Sequence, residues 1–281
     1  MTKQTNTSNN DEHELEINKI YQGDCLEVMK LIEDKSVDLI LCDLPYGTTA
    51  CSWDVIIPFD KLWEQYKRII KDNGAIVLFA TQPFTTKLIN SAMDMFKYDI
   101  IWEKSRSTDF MNSKNKICRR HEEILIFSKG VTANGGKCMM KFNPQMEEGK
   151  PYKRVMKSDP RVNTMGIRKK SMAGITLENN GSRYPSSILF CNNPNNNNLH
   201  PTQKPVALFE YLIKTYTNEG DLVLDNCIGS GTTAIACINT NRRFIGMELS
   251  EEYCKIANDR IQKELSQTKL NSEGKFFSSQ P

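Results

Sequence analysis

The chain has 281 residues, of which 39% are hydrophobic and 25% are charged, and its formal net charge is +3. This length and composition fit one large α/β domain with an inserted lobe, or two small domains, and they argue against disorder of the whole chain. No apolar run approaches the roughly 20 residues that a membrane span requires, and residues 1–16 lack the features of a targeting signal. We therefore expect a cytoplasmic protein that makes no membrane contact.

In chain order, apolar runs of strand length alternate with amphipathic segments of helix length. The sequence predicts a helix at residues 25–32, a strand at 37–42, a helix at 59–71, a strand at 75–80, a helix at 83–95, strands at 99–102 and 124–127, a helix at 205–217, a strand at 222–224, a helix at 232–239, a strand at 243–247 and a helix at 251–265. Such alternation predicts an α/β fold with a parallel sheet covered by helices on both faces.

Residues 129–199 break this alternation and show no clear period. Residues 129–185 contain 12 Lys and Arg against 4 Asp and Glu, which is typical of a polyanion-binding surface and also of an ordinary solvated face. Because a structureless loop of this length is rare in a compact domain, the stretch predicts an inserted lobe.

The nine cysteines are scattered and form no Cys-x-x-Cys pair. Their spacing and odd number predict reduced, buried thiols and no metal site.

Two predicted strands end in polar residues, which in an open parallel sheet is where ligands bind. The first strand is followed by Asp43, Leu44, Pro45 and Tyr46, and the second is followed by the segment from Asp225 to Thr233.

The segment after Asp225 has the features of a nucleoside-binding turn. Gly229 and Gly231 let a backbone pass close to a ligand, and a helix starts at Thr232. Glu248, at the end of the next strand, is placed to accept both ribose hydroxyls. A nicotinamide dehydrogenase fingerprint explains this segment equally well, and a tight structural turn without a ligand is a further alternative.

The tetrapeptide from Asp43 to Tyr46 favours methylation of an exocyclic amine of a base. Such an amine is a poor nucleophile, and Asp43 with the carbonyl of Leu44 or Pro45 could each accept one of its hydrogens, while Tyr46 offers an aromatic face to a flipped base. The alternative is a β-turn with a packed tyrosine. Methylation of cytosine C5 is set aside because no cysteine follows a proline.

The joint order of these motifs resembles the β-type amino-methylating DNA methyltransferases, whose catalytic motif precedes the cofactor motif. Asp43 to Tyr46 is similar to their Asp-Pro-Pro-Tyr tetrapeptide, and Asp225 to Thr233 is similar to their cofactor loop. The segments from His200 to Pro205 and from Gly23 to Cys25 also match family motifs. The resemblance covers about residues 17–265 and implies a Rossmann-like, S-adenosylmethionine-dependent methyltransferase fold with permuted motif order.

The resemblance assigns the target base to Asp43, Leu44, Pro45 and Tyr46. The cofactor residues that it implies are Asp24, Cys25, His200, Thr202, Lys204, Asp225, Gly229, Ser230, Gly231, Thr232 and Glu248. Among them, Lys204 is expected to face the cofactor's carboxylate or brace its loop, although pairing on the surface is also open.

Two departures from the family pattern affect these expectations. Leu44 replaces the first proline, which loosens the turn. Asn226 and Cys227 replace a Pro-Phe pair, so the aromatic flank of the cofactor is expected from Phe79, Phe84 or Trp53, three aromatic residues elsewhere in the sequence.

The predicted organisation is a flexible tail at 1–16, a catalytic half at 17–128, a target-recognition insertion at 129–199, a cofactor half at 200–266 and a flexible tail at 267–281. The basic residues expected to neutralise DNA phosphates are Arg119, Arg120, Lys153, Arg154, Arg168, Lys169 and Lys170.

The sequence thus predicts a site-specific methyltransferase acting on adenine N6 in double-stranded DNA, because cytosine enzymes of this family more often have Ser in place of Asp43. Cytosine N4 methylation and a non-catalytic DNA-binding protein remain as alternatives. A homodimer and a cognate restriction enzyme are left open as partners.

Overall fold

The computed structural model describes residues 15–48, 51, 54–108, 110–155, 175–193 and 203–277. An eight-stranded sheet runs through the main compact unit, residues 1–143 and 187–281. Its strands, in chain order, are β1 (Lys19–Gln22), β2 (Val37–Cys42), β3 (Ile70–Ala80), β4 (Phe96–Lys104), β5 (His121–Phe127), β10 (Ile188–Cys191), β11 (Leu222–Asp225) and β12 (Arg243–Glu248).

The spatial order of the strands is β1, β12, β11, β2, β3, β5, β4 and β10. All pairs are parallel except those of β5, which runs antiparallel to both β3 and β4. The sheet is therefore mixed, with a single reversed strand, and it confirms the α/β prediction.

Helices cover both faces of the sheet, as predicted. They are α1 (Cys25–Val28), α2 (Phe59–Ile69), α3 (Phe84–Ser91), α4 (Val206–Tyr216), α5 (Thr232–Asn239) and α6 (Glu251–Phe277). Every residue of β2 is buried, and its side chains alternate between the two faces. Ile40 and Cys42 pack into the core shared with α1, α2 and α3, whereas Leu39 and Leu41 pack into the core shared with α4, α5 and α6. Among the described residues, none of the helices has the length and hydropathy to cross a membrane.

A second compact unit comprises residues 144–186. It contains two small antiparallel sheets, one formed by β6 (Glu147–Glu148) with β9 (Ser182–Arg183) and the other by β7 (Tyr152–Val155) with β8 (Thr176–Asn179). This unit is narrower than the insertion predicted at 129–199, because β10 joins the main sheet beside β4 and Lys141 pairs with Asp38 and Asp221 of the main unit.

Two further features differ from the sequence-based organisation. β1 pairs with β12, so the residues around position 20 lie beside the strands of the predicted cofactor half, although the sequence placed them in the catalytic half. α6 continues to Phe277, into the stretch 267–281 for which a flexible tail was expected.

Candidate active site

The two strand ends selected from the sequence lie side by side, because β11 and β2 are parallel neighbours. A cavity of about 650 Å³ opens at this edge of the sheet, and both motifs line it. Asp43, Leu44, Pro45 and Tyr46 form one side, and the turn from Asp225 to Ser230 forms another. The volume is that of a typical small-molecule site.

Glu248 lines the same cavity as Asp43 and is held by backbone amides. The Gly229 N–H donates to Glu248 Oε2 at 2.9 Å, and the Ser250 N–H donates to Oε1 at 2.9 Å. Each carboxylate oxygen keeps a further lone pair, so the side chain can still accept two hydroxyl donors.

Gly231 supports the turn from behind and does not line the cavity. Its φ is +85°, and a Cβ there would lie 3.0 Å from the Cβ of Ala257 in α6. The glycine therefore lets the turn pack directly on α6. Its predicted neighbours Gly229, Ser230 and Thr232 do line the cavity.

Asp225 is buried at the end of β11. Its carboxylate accepts hydrogen bonds from the Thr233 hydroxyl and, at 3.1 Å, from the Cys227 N–H. Burial raises the pKa of Asp225 to about 7, despite these donors. Asp225 lies beneath the turn, and this position favours a role in supporting the turn over a charge–charge contact with a ligand.

Asp24 and Cys25 line the same cavity, as the family resemblance implies. Asp24 caps α1 by accepting a hydrogen bond from the Leu26 N–H at 2.8 Å. The Gly23 N–H donates to the Glu248 carbonyl at 3.0 Å, which ties this segment to the end of β12.

Asp43 receives a donor on each carboxylate oxygen. The Tyr46 hydroxyl donates to Oδ1 at 2.7 Å, and the Lys204 ammonium donates to Oδ2 at 2.5 Å. Lys204 was expected to face the cofactor's carboxylate or to brace its loop. It is instead only 7% exposed and pairs with Asp43, which rules out the surface-pairing alternative.

A chain of alternating charges continues from Asp43 into the protein. The Nζ of Lys204 lies 3.3 Å from Glu122 Oε2, and the opposite oxygen of Glu122 accepts from buried Lys104. Burial lowers the pKa of Lys204, but Asp43 and Glu122 together hold it above its usual value. Burial raises the pKa of Glu122, but Lys204 and Lys104 hold it below its usual value. Lys204 and Glu122 are therefore both charged near neutral pH.

The loop that follows the tetrapeptide is fixed by Asp54. Its two oxygens accept hydrogen bonds from the Gly47 and Thr48 N–H groups, both at 2.8 Å. Leu44 is buried against the hydrophobic core, so the side chain that replaces the family's proline acts as a packing residue.

The sequence missed Lys104, Glu122, Asp54 and Tyr253, all of which line the cavity. Lys104 ends β4, and this strand-end signal was available in the sequence. Glu122 lies at the start of β5, and only the reversed direction of that strand brings it to the same edge.

The aromatic flank expected from Phe79 or Phe84 is not provided by either side chain. Phe79 is fully buried and stacks on Phe209 at 5.2 Å, and Phe84 packs behind Tyr46 at 5.0 Å. Tyr253, at the start of α6, lines the cavity near Glu248.

The remaining predicted residues lie away from this cavity or outside the described part of the chain. Arg119 donates to the Gln82 carbonyl at 3.4 Å, and Arg120 pairs with Glu103 at 3.2 Å. Lys153 and Arg154 lie on β7, where Lys153 pairs with Glu178 of β8. The predicted residues outside the described ranges are Trp53, Arg168, Lys169, Lys170, His200 and Thr202.

The cavity residues fit S-adenosylmethionine. A glycine turn, an acid with free lone pairs at Glu248 and a polar capped segment at Asp24 line one continuous space. These are the groups needed to hold an amino-acid tail, a ribose and an adenine.

Comparison with known proteins identifies the family. An N6/N4 methyltransferase model described as DNA methylase matches residues 37–259. The Type II methyltransferase M1.MboII of Moraxella bovis is 31% identical, over 87% of this chain and 96% of that protein. The DNA adenine methyltransferase YhdJ of Escherichia coli (strain K12) is 28% identical, over 88% of this chain and 83% of that protein.

The solved structure of a complex of M1.HpyAVI with SAM superposes with a TM-score of 0.56 at 25% identity, covering 86% of this chain and 98% of that one. The chain is thus a DNA methyltransferase with S-adenosylmethionine as its cofactor and DNA as its substrate. It belongs to the N6/N4 family of amino-methylating DNA methyltransferases, with the Rossmann-like fold that the sequence predicts.

Proposed function

We propose that this chain methylates adenine N6 at a specific site in double-stranded DNA, on a base flipped out of the duplex. The observation that carries the proposal is the position of Asp43. Its carboxylate lies at the end of β2, next to the cofactor turn at the end of β11, with both oxygens directed at hydrogen-bond donors.

In this proposal Asp43 accepts a hydrogen bond from the target amine, and this proton leaves the nitrogen by way of Asp43 once the methyl group is attached. The amine's lone pair is delocalised into the ring, and a fixed acceptor on one hydrogen helps the nitrogen become tetrahedral. A backbone carbonyl of Leu44 or Pro45 accepts the second hydrogen. Bound S-adenosylmethionine supplies a methyl group on a sulfonium, a good leaving group, so that positioning dominates a direct in-line transfer.

Tyr46 changes partner when the base enters. Its hydroxyl occupies Asp43 Oδ1, and its ring is backed by Phe84 at 5.0 Å. Release of this hydrogen bond frees one acceptor of Asp43 and presents the ring as a stacking surface, which contributes on the order of 1 to 3 kcal/mol.

Lys204 holds the Asp43 carboxylate in position. Because both residues are largely buried, the ammonium stabilises the carboxylate much more than a surface partner would. Glu122 in turn balances Lys204 against Lys104.

Adenine is favoured over cytosine N4 because the tetrapeptide begins with Asp, and because YhdJ, a relative named as an adenine enzyme, is 28% identical. Phosphate contacts are assigned to the basic residues of the insertion, among them Lys153 and Arg154 of β7, and to Arg119.

Nucleoside mass spectrometry tests the proposal directly. Purified protein is incubated with unmethylated DNA of mixed sequence and methyl-labelled S-adenosylmethionine. We expect labelled N6-methyladenine from the unmodified chain and none from Asp43→Ala, while DNA binding is retained. Asp60→Ala, which removes an exposed acid at the start of α2, is the matched control.

Labelled N4-methylcytosine would support the same transfer mechanism but would show that the target base is cytosine. DNA binding and cofactor binding without label in either base would favour the non-catalytic alternative.

A further inference from the structure

The loop between β4 and β5, of which residues 105–108 and 110–120 are described, begins at the edge of the cavity with a hydrogen-bonded stem. The Lys104 N–H donates to the Arg120 carbonyl at 2.9 Å, and the Thr108 N–H donates to the Arg119 carbonyl at 2.7 Å. These bonds extend the antiparallel pairing of Glu103 with His121 beyond the sheet. The stem therefore presents the tip of the loop from a fixed base.

The tip exposes three large apolar side chains within eight residues. Phe110 is 72% exposed, Met111 is 80% exposed and Ile117 is 95% exposed. Grouped exposure of this kind marks an interaction surface more often than single apolar residues do. Binding of a partner to the tip would bury these apolar side chains and would therefore be favourable.

The charge of the loop indicates the partner. Its 16 residues include five basic residues, Arg106, Lys114, Lys116, Arg119 and Arg120, and one acidic residue, Asp109. Apolar side chains interleaved with basic ones are typical of surfaces that insert into duplex DNA and hold the flanking phosphates. A protein partner would not require this excess of positive charge.

The position of the loop relates it to the chemistry. Arg106 and Thr108 line the same cavity as Asp43, and the stem is rooted on Lys104, which pairs with Glu122. The base of the loop therefore borders the cavity that Asp43 lines.

We propose that Phe110 and Met111 insert into the DNA duplex at the gap that the flipped base leaves. The inserted side chains replace the stacking that the neighbouring base pairs lose, and the basic residues of the loop hold the adjacent phosphates. This inference rests on the proposed function, since it requires a flipped base.

The test compares two substrates once the methylated sequence has been read from labelled DNA. One duplex is fully paired, and the other carries an abasic residue opposite the target adenine, so that its target base is already unpaired. We expect Phe110→Ala/Met111→Ala to lower kcat/KM roughly 10- to 100-fold on the paired duplex and less than about 3-fold on the abasic duplex.

Met93→Ala is the control, because it removes a methionine that is 57% exposed at a different site in the main unit. It should leave both rates unchanged. Cofactor affinity and thermal stability of the double variant should match those of the unmodified chain.

The proposed insertion would be wrong if the double variant lost kcat/KM equally on both duplexes or lost none on either. It would also be wrong if the double variant lost the ability to form a dimer. Absence of methylation by the unmodified chain on both duplexes would instead contradict the proposed function itself.

Discussion

The four charged residues Asp43, Lys204, Glu122 and Lys104 form a buried series of alternating sign. Buried ions carry a large desolvation cost, and removal of one member leaves its neighbour uncompensated. The series is therefore a poor choice for stability alone. The series ends at Asp43, the proposed hydrogen-bond acceptor for the target amine. We therefore infer that the series serves to hold the Asp43 carboxylate in one geometry.

Glu122→Gln should lower kcat about 10- to 100-fold, with a small change in the affinity for S-adenosylmethionine. The amide keeps the shape but removes the charge that raises the pKa of Lys204. The alkaline limb of the pH profile of kcat should therefore move to lower pH. Steady-state kinetics between pH 6 and pH 10 measure both effects.

Glu123→Gln provides the comparison, since Glu123 is the next residue of β5 and accepts a hydrogen bond from Thr85, away from this series. An unchanged pH profile in Glu122→Gln would show that Glu122 does not act through Lys204.

At the scale of elements, the strands and helices of the main unit follow from local patterns. β2 and α5 have the predicted bounds, because β2 reads as a continuous apolar run and α5 starts directly after the glycine turn. β1 and β10 were missed because each is short and partly exposed, whereas the equally short β11 is fully buried and reads as an apolar run. The reversed direction of β5 depends on pairing across the sheet, which no local pattern carries, and Glu122 was missed with it.

The turn between β11 and α5 provides a prediction at this scale. Gly231 and Gly220 both have positive φ, at +85° and +79°, but only Gly231 has a neighbour within 4 Å of an added Cβ. Gly220→Ala should cost about 1 kcal/mol of unfolding free energy from backbone strain. Gly231→Ala should cost about 2 to 4 kcal/mol, since the Cβ also pushes against Ala257.

Urea unfolding of the two variants separates these contributions. Equal losses would mean that the contact between the turn and α6 adds nothing, and the Gly231 variant should also bind the cofactor more weakly.

At the scale of the whole molecule, all described residues of the cavity come from the main unit. The segments that flank the second unit are fixed in the main unit. The Asn143 N–H donates to the Thr215 carbonyl, and the Ser187 carbonyl accepts from the Ile101 N–H. The second unit can thus be removed between two anchored positions.

Replacement of residues 144–186 by a short Gly-Ser linker should leave S-adenosylmethionine affinity within about 3-fold. Methylation of duplex DNA should be lost, because the basic residues of this unit supply phosphate contacts in our proposal. Calorimetry with the cofactor and nucleoside mass spectrometry measure the two results. Full methylation activity of this variant would show that residues 144–186 are not required for target recognition.

The pairing of β1 with β12 joins residues that lie more than 200 positions apart in the chain. At a ribosomal rate of about 5 to 20 residues per second, β1 emerges roughly 10 to 45 s before its partner strand exists. Asp24, Cys25 and Glu248 converge only when that pairing forms. A nascent chain therefore cannot assemble this side of the cavity until the residues up to Glu248 have been synthesised.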